Sequence, residues 1–180
     1  MFLDRDGTLI RDVPYLHHPD GVELLAGVVA GLRLLQAAGF RLVMVTNQQG
    51  IGLGYFTKQE FFAVNQRLLR ALGESGVRIA RIYYCPHSVA DNCLCRKPNT
   101  LLLENALRKY QARAGDCYLI GNGACDMQAG ARLGVMTVSV GGESAASYRA
   151  DNFADAANWI VSRRAPAAVA PGSRAEEVLA

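Results

Sequence analysis

Short apolar runs rich in β-branched and aromatic residues alternate along the chain with stretches whose apolar positions recur every three or four residues. Runs at 2–4, 41–45, 79–84, 118–121 and 135–140 read as strands. Between them Val28, Leu32 and Leu35 mark one helical face. Phe61, Val64, Leu68 and Leu72 mark a second, and Leu103, Leu107 and Tyr110 a third. Thr57 with Glu60 three residues on has the pattern of a capping box, and Gly39, Gly76 and Gly134 punctuate turns before strands. Strand and helix in alternation predict an α/β fold, a Rossmann-like three-layer sandwich around a central parallel sheet, with the first strand flanked by the second and fourth. Too few residues separate Thr8 from the second strand to hold a cap domain in addition to a helix. The first run is short for a central strand, which leaves room for its start to lie upstream.

The chain has 180 residues, enough for one domain, expected over 1–165. Residues 166–180, "PAAVAPGSRAEEVLA", are small and proline-containing and read as a loosely held tail. Hydrophobic residues make up 51%, which excludes a disordered chain, and a net charge of +3 gives no electrostatic case for nucleic acid. No apolar run approaches the ~20 residues needed to cross a bilayer, and the beginning of the sequence lacks the pattern of a signal peptide. The expectation is a cytoplasmic monomer that acts on a small molecule. Five cysteines, an odd number in a chain without a secretory signal, point to metal binding before disulfides.

The chemistry gathers where strands are expected to end, the edge at which open parallel sheets bind ligands. Asp4 and Asp6 follow the first strand with Arg5 between them; on an extended segment the two carboxylates point the same way and Arg5 the other. Adjacent anions call for a cation. Thr46 and Asn47 end the second strand, Arg96 and Lys97 follow the third, and Asn122 and Asp126 follow the fourth. Carboxylate, hydroxyl, amide and ammonium groups converging on one edge suit phosphoryl transfer with magnesium. Cys85, His87, Cys93 and Cys95 form C-x-H-x5-C-x-C, four ligands in eleven residues, which favours a closed tetrahedral zinc site of structural type. Cys117 and Cys125 read as ordinary buried thiols, and His17 and His18 as surface residues.

"LDRDGTL", "VTN", the lysine of "CRKP" and "IGNGACD" resemble, in order, the four motifs of the haloacid dehalogenase (HAD) superfamily of phosphatases. "YYCPHSVADNCLCRKP" and "NQQGIGLGYFT" are similar to the capless branch that holds the heptose bisphosphate and histidinol-phosphate phosphatases, with the heptose enzymes favoured. The resemblance implies a HAD-like fold without a cap and with a zinc loop. It implies Asp4 as nucleophile, Asp6 as acid and base, and Thr46 and Lys97 as holders of phosphoryl oxygens. It implies substrate contacts at Asp12, Tyr15, Asn47, Gln48 and Arg96, and a magnesium site from Asp4, the Asp6 carbonyl and the position of Asn122; Asp126, four residues on in the expected first turn of a helix, is placed to add a carboxylate directly or through water. The chain departs from the family at Asn122, where the fourth motif normally carries a metal-binding aspartate, and at Gly123, where it carries lysine. It departs also at Gln49, Leu53 and the "NTLLL" after "CRKP". Three readings stay open: a heptose bisphosphate phosphatase, a phosphatase of histidinol phosphate or another small ester, and a catalytically silent phosphate-binding relative.

Overall fold

The computed structural model describes residues 1–141 and 145–163. Its six strands are β1 (Phe2–Leu3), β2 (Leu42–Asn47), β3 (Ile79–Cys85), β4 (Tyr118–Gly121), β5 (Met136–Val140) and β6 (Tyr148–Ala150). They form one sheet in the order β3-β2-β1-β4-β5-β6, every pairing parallel. The helices are α1 (Val28–Ala37), α2 (Gln49–Gly52), α3 (Lys58–Glu74), α4 (Leu101–Tyr110), α5 (Ala124–Leu133) and α6 (Phe153–Arg163). No helix among the described residues is long and apolar enough to cross a membrane.

Strand residues alternate between two cores, as a pleat of period two requires. Leu3, Met44, Ile120 and Val138 pack with the buried stripes of α1, α3 and α6. Phe2, Val43, Val45 and Leu119 pack with Leu102, Leu103 and Ala106 of α4 and Ala129 of α5. Both sheet faces are therefore dry, which is why the central strands are near-continuous apolar runs. In α3 the four stripe residues Phe61, Val64, Leu68 and Leu72 are at most 1% exposed; each is worth roughly 1.5–3 kcal/mol against leaving it in water. The helix begins with the expected reciprocal cap, Thr57 Oγ1 accepting from Glu60 N–H at 3.2 Å and Glu60 accepting from Thr57 N–H at 2.7 Å.

Observed and expected strands agree in number and order through β5, with shifted ends. β1 stops at Leu3, before Asp4, while β2 and β3 run on to Asn47 and Cys85. The short α2, β6 and α6 were not expected. β6 is three residues at the sheet edge with no apolar run, whereas Phe153, Ala156, Ala157 and Ile160 carried a helical stripe made inconspicuous by its alanines. Between β1 and α1 lies a flap tied down by bridges of Asp6 to Ile10 and of Ile10 to Leu24, not an inserted domain. The proposed tail, 166–180, lies outside the described residues.

Candidate active site

Lys97 is the centre of the site. It is 2% exposed, and its ammonium lies 2.7 Å from Asp4 Oδ1, 2.7 Å from the Val45 carbonyl and 2.5 Å from Asp126 Oδ1. Its backbone is clamped by the Asn47 side chain: Lys97 N–H donates to Asn47 Oδ1 at 3.0 Å, and Asn47 Nδ2 donates to the Lys97 carbonyl at 3.1 Å. Asp4 comes off β1, its own N–H donating to the Ile120 carbonyl at 2.9 Å. Asp126 sits in the first turn of α5 with its other oxygen accepting from Gly123 N–H at 3.2 Å. That carboxylate folds back over the end of β4, and a Cβ on Gly121 would come within 2.5 Å of it; only glycine fits there.

One ammonium cannot neutralise two buried carboxylates. Burial opposes the charge on Lys97, yet Asp4 and Asp126 override it and the net shift is upward. Asp126 is the carboxylate left over: burial first and Asp4 second push it up to about 6 against the pull of Lys97.

A second group stands beside the first. Gln48, 5% exposed, donates from Nε2 to Asp6 Oδ2 at 2.8 Å and to Thr46 Oγ1 at 2.9 Å, and accepts at Oε1 from Arg5 Nη2 at 3.0 Å. Arg5 Nε lies 3.1 Å from each Asp6 oxygen. Burial pushes the Asp6 carboxyl up; Arg5 pulls it back and Asp4 adds to the rise. The expectation that Arg5 points away from the two carboxylates is corrected here. It is 1% exposed, its guanidinium turned onto Asp6 and over the Phe61 ring, because the strand ends at Leu3 and the chain no longer alternates. Nothing in the sequence signalled its burial except its place between the carboxylates.

Asp12 and Tyr15 line a cavity of about 360 Å³ together with Asp6, Asn47, Gln48 and Phe56. Tyr15 has a left-handed backbone, φ 54°, and its ring meets Tyr55 edge-on at 4.4 Å. Arg96 is half-buried with its Nη1 buried and without a hydrogen-bond partner. Asn122 is half-buried and rests on the loop after Asp6: Oδ1 accepts from Thr8 Oγ1 at 3.4 Å, and a Cβ on Gly7, φ 71°, would lie 2.1 Å from its Nδ2. The larger cavity, about 590 Å³, lies at the opposite ends of the strands by Met1, Arg41 and Cys117, away from this chemistry.

With one carboxylate in excess over Lys97 the site suits a hard divalent cation. Of the oxygen donors expected for it, Asp126 is a correction, since its two oxygens are taken by Lys97 and Gly123 N–H, which leaves Asp4, the Asp6 carbonyl and Asn122. The four Cys/His side chains form a separate group: Cys95 Sγ lies 3.1 Å from Cys85 Sγ, 3.5 Å from Cys93 Sγ and 3.2 Å from His87 Nδ1. A tetrahedral zinc ion with such ligands has edges of about 3.4–3.8 Å, so the group is preformed for one ion. Burial opposes ionisation of Cys93, but hydrogen bonds from Cys85 and the Arg96 N–H bring its thiol down to about 7; burial and Cys95 push Cys85 up. No described cysteine is in a disulfide. Cys117 is buried as expected, Cys125 only half-buried, and His17 and His18 are exposed.

A parallel sheet that gathers a carboxylate, a hydroxyl and a buried lysine at the ends of successive strands defines a HAD-like hydrolase, and a family model described as HAD-hydrolase-like matches residues 94–167. The D-glycero-β-D-manno-heptose-1,7-bisphosphate 7-phosphatase of Yersinia pestis is 36% identical over 179 residues, 91% of this chain and 95% of that protein. The histidine biosynthesis bifunctional protein HisB of Legionella pneumophila is 37% identical over 138 residues, 75% of this chain but 39% of that protein. The crystal structure of D,D-heptose 1,7-bisphosphate phosphatase from B. bronchiseptica, complexed with magnesium and phosphate, superposes with a TM-score of 0.85 at 27% identity, covering 91% of this chain and 98% of that one. The chain belongs to the heptose-1,7-bisphosphate 7-phosphatase family of HAD-like phosphatases.

Proposed function

We infer that the protein removes the 7-phosphate from D-glycero-D-manno-heptose 1,7-bisphosphate with magnesium as cofactor. The observation that carries this reading is Lys97, buried between Asp4 and Asp126 beside Thr46 at the carboxyl edge of the sheet. Lys97 holds Asp4 by Oδ1, and the other Asp4 oxygen is the nucleophile that attacks phosphorus. As the bond from phosphorus to the sugar oxygen breaks, Asp6 delivers its proton to that oxygen; its upward shift suits an acid. Asp6, now a carboxylate, takes a proton from water; the water oxygen attacks the aspartyl-phosphate, and the bond to Asp4 breaks to release phosphate. Thr46 holds a phosphoryl oxygen; Lys97, whose three ammonium protons go to Asp4, the Val45 carbonyl and Asp126, fixes the nucleophile and sets positive charge beside the phosphate, and the unpartnered Arg96 Nη1 supplies a donor for the substrate. Asp12, Tyr15 and Asn47 border the sugar, whereas Gln48, expected beside them, spends its side-chain amide on Arg5, Asp6 and Thr46. Magnesium, held by Asp4, the Asp6 carbonyl and Asn122, offsets charge on the nucleophile and the phosphate when bound.

The Cys85, His87, Cys93 and Cys95 group holds zinc with all four positions filled by protein, a structural role that stiffens the loop leading into Arg96 and Lys97. Five cysteines with no disulfide among them fit a reducing cytoplasm.

Phosphate release from both anomers of the heptose bisphosphate, from histidinol phosphate and from p-nitrophenyl phosphate, with magnesium present, tests the reading. The heptose bisphosphate should give the highest kcat/KM. A preference for histidinol phosphate would transfer the assignment to the other branch, and no release from any ester would mean that Asn122 has silenced the site.

A further inference from the structure

Gln48 has a wholly internal hydrogen-bond pattern, and its orientation is dictated by chemistry. A guanidinium only donates, so the amide oxygen must face Arg5 Nη2, at 3.0 Å, and both Nε2 protons are thereby sent the other way. One goes to Asp6 Oδ2 at 2.8 Å and one to Thr46 Oγ1 at 2.9 Å. A hydroxyl that accepts at its oxygen keeps its own proton for another partner. Arg5 also reaches both Asp6 oxygens, lies over the Phe61 ring at 5.6 Å, and is 1% exposed, whereas the Asp6 side chain is 23% exposed and borders the cavity.

We propose that Gln48, oriented by Arg5, is a positioning residue that sets two reacting groups at once: it aims the open side of Asp6 at the leaving oxygen and turns the Thr46 hydroxyl proton toward a phosphoryl oxygen. The inference rests on the roles given to Asp6 and Thr46 above. It differs from a plain buried ion pair between Arg5 and Asp6, which would hold the flap and nothing else.

The distinction is measurable through the leaving group. A sugar alkoxide needs the proton from Asp6, while p-nitrophenolate departs without one, and kcat/KM reports the step that forms the aspartyl-phosphate. Gln48→Met removes both N–H donors at similar volume. Gln48→Leu also removes them and brings no charge beside Asp6, so a second variant is available if the first unfolds. The ratio of kcat/KM for the heptose bisphosphate to that for p-nitrophenyl phosphate should fall about tenfold or more in either variant, with thermal melting showing a folded protein. In an Asp6→Asn background the same changes at Gln48 should leave this ratio where Asp6→Asn alone puts it. An equal loss on both substrates, or a ratio that falls further in the double variant, would overturn the proposal and leave the phosphatase reading standing. If Asp6→Asn itself left the ratio unchanged, the role of Asp6 and the proposal would fall together.

Discussion

The catalytic edge and the Cys/His loop adjoin in sequence, Cys95 and Lys97 being two residues apart, yet they are built on opposite plans. The loop is local: four ligands within eleven residues, three of them at least partly exposed, with little regular structure of their own and Leu94 at its tip 74% exposed. The catalytic edge is non-local. Asp4, Val45, Lys97 and Asp126 come from four separate stretches of the chain and meet in the dry end of the sheet. A local site can be held by one ion because the chain between its ligands is short and closing it costs little entropy. A site drawn from four distant stretches has its geometry imposed by the whole core, and what the core imposes is an imbalance, two carboxylates on one ammonium. That imbalance is tolerable only with a cation or proton at hand. The loop then has a second duty, since it fixes the entry of the chain into Lys97.

The sharpest test of the non-local plan is Asp4→Asn. Phosphate release should fall by about a thousandfold or more, because nucleophile and metal ligand vanish together, while the fold stays intact by circular dichroism. Wild-type turnover in that variant would refute the mechanism. Next in size is the loop. Elemental analysis of protein purified without added metal should find close to one zinc per chain, and Cys95→Ser or chelation should lower activity roughly tenfold by loosening the approach to Lys97. Full activity in a zinc-free protein would separate the two regions.

The charge imbalance predicts a pH effect of known sign. Asp126 is raised from 3.8 to about 6, so between these values the folded metal-free protein holds more protons than the unfolded one, and stability falls as pH rises through that window. Asp126→Asn should remove a drop on the order of 2 kcal/mol between pH 4 and 6.5, read as the difference between urea melts of the two proteins. An identical pH slope in both would mean that Lys97 neutralises Asp126 after all. The smallest effect is at Asn122. Asn122→Asp adds a charge to the proposed magnesium shell and should tighten magnesium severalfold by calorimetry and lower the concentration needed for half-maximal turnover. Unchanged binding would remove Asn122 from the shell.

Much of the fold was written in local pattern. The stripes of α1 and α3, the cap at Thr57, the alternation of strand with helix and the Cys/His spacing all depend on residues close in sequence, so periodicity and spacing alone determined them. Asp4 and Thr46 were legible because they stand where an apolar run stops, and Lys97 and Asp126 because short motifs, "CRKP" and "IGNGACD", carry them. Their pairing was not. That Lys97 is shared by two carboxylates, that Asn47 spends its amide on the Lys97 backbone, and that Arg5 lies buried against Asp6 and Gln48 depend on strand order and on how far β1 runs. The polar character of a side chain is written in the sequence. Its partner is decided only when the sheet closes, because a buried polar group must take whichever complementary atom the packed core brings within about 3 Å.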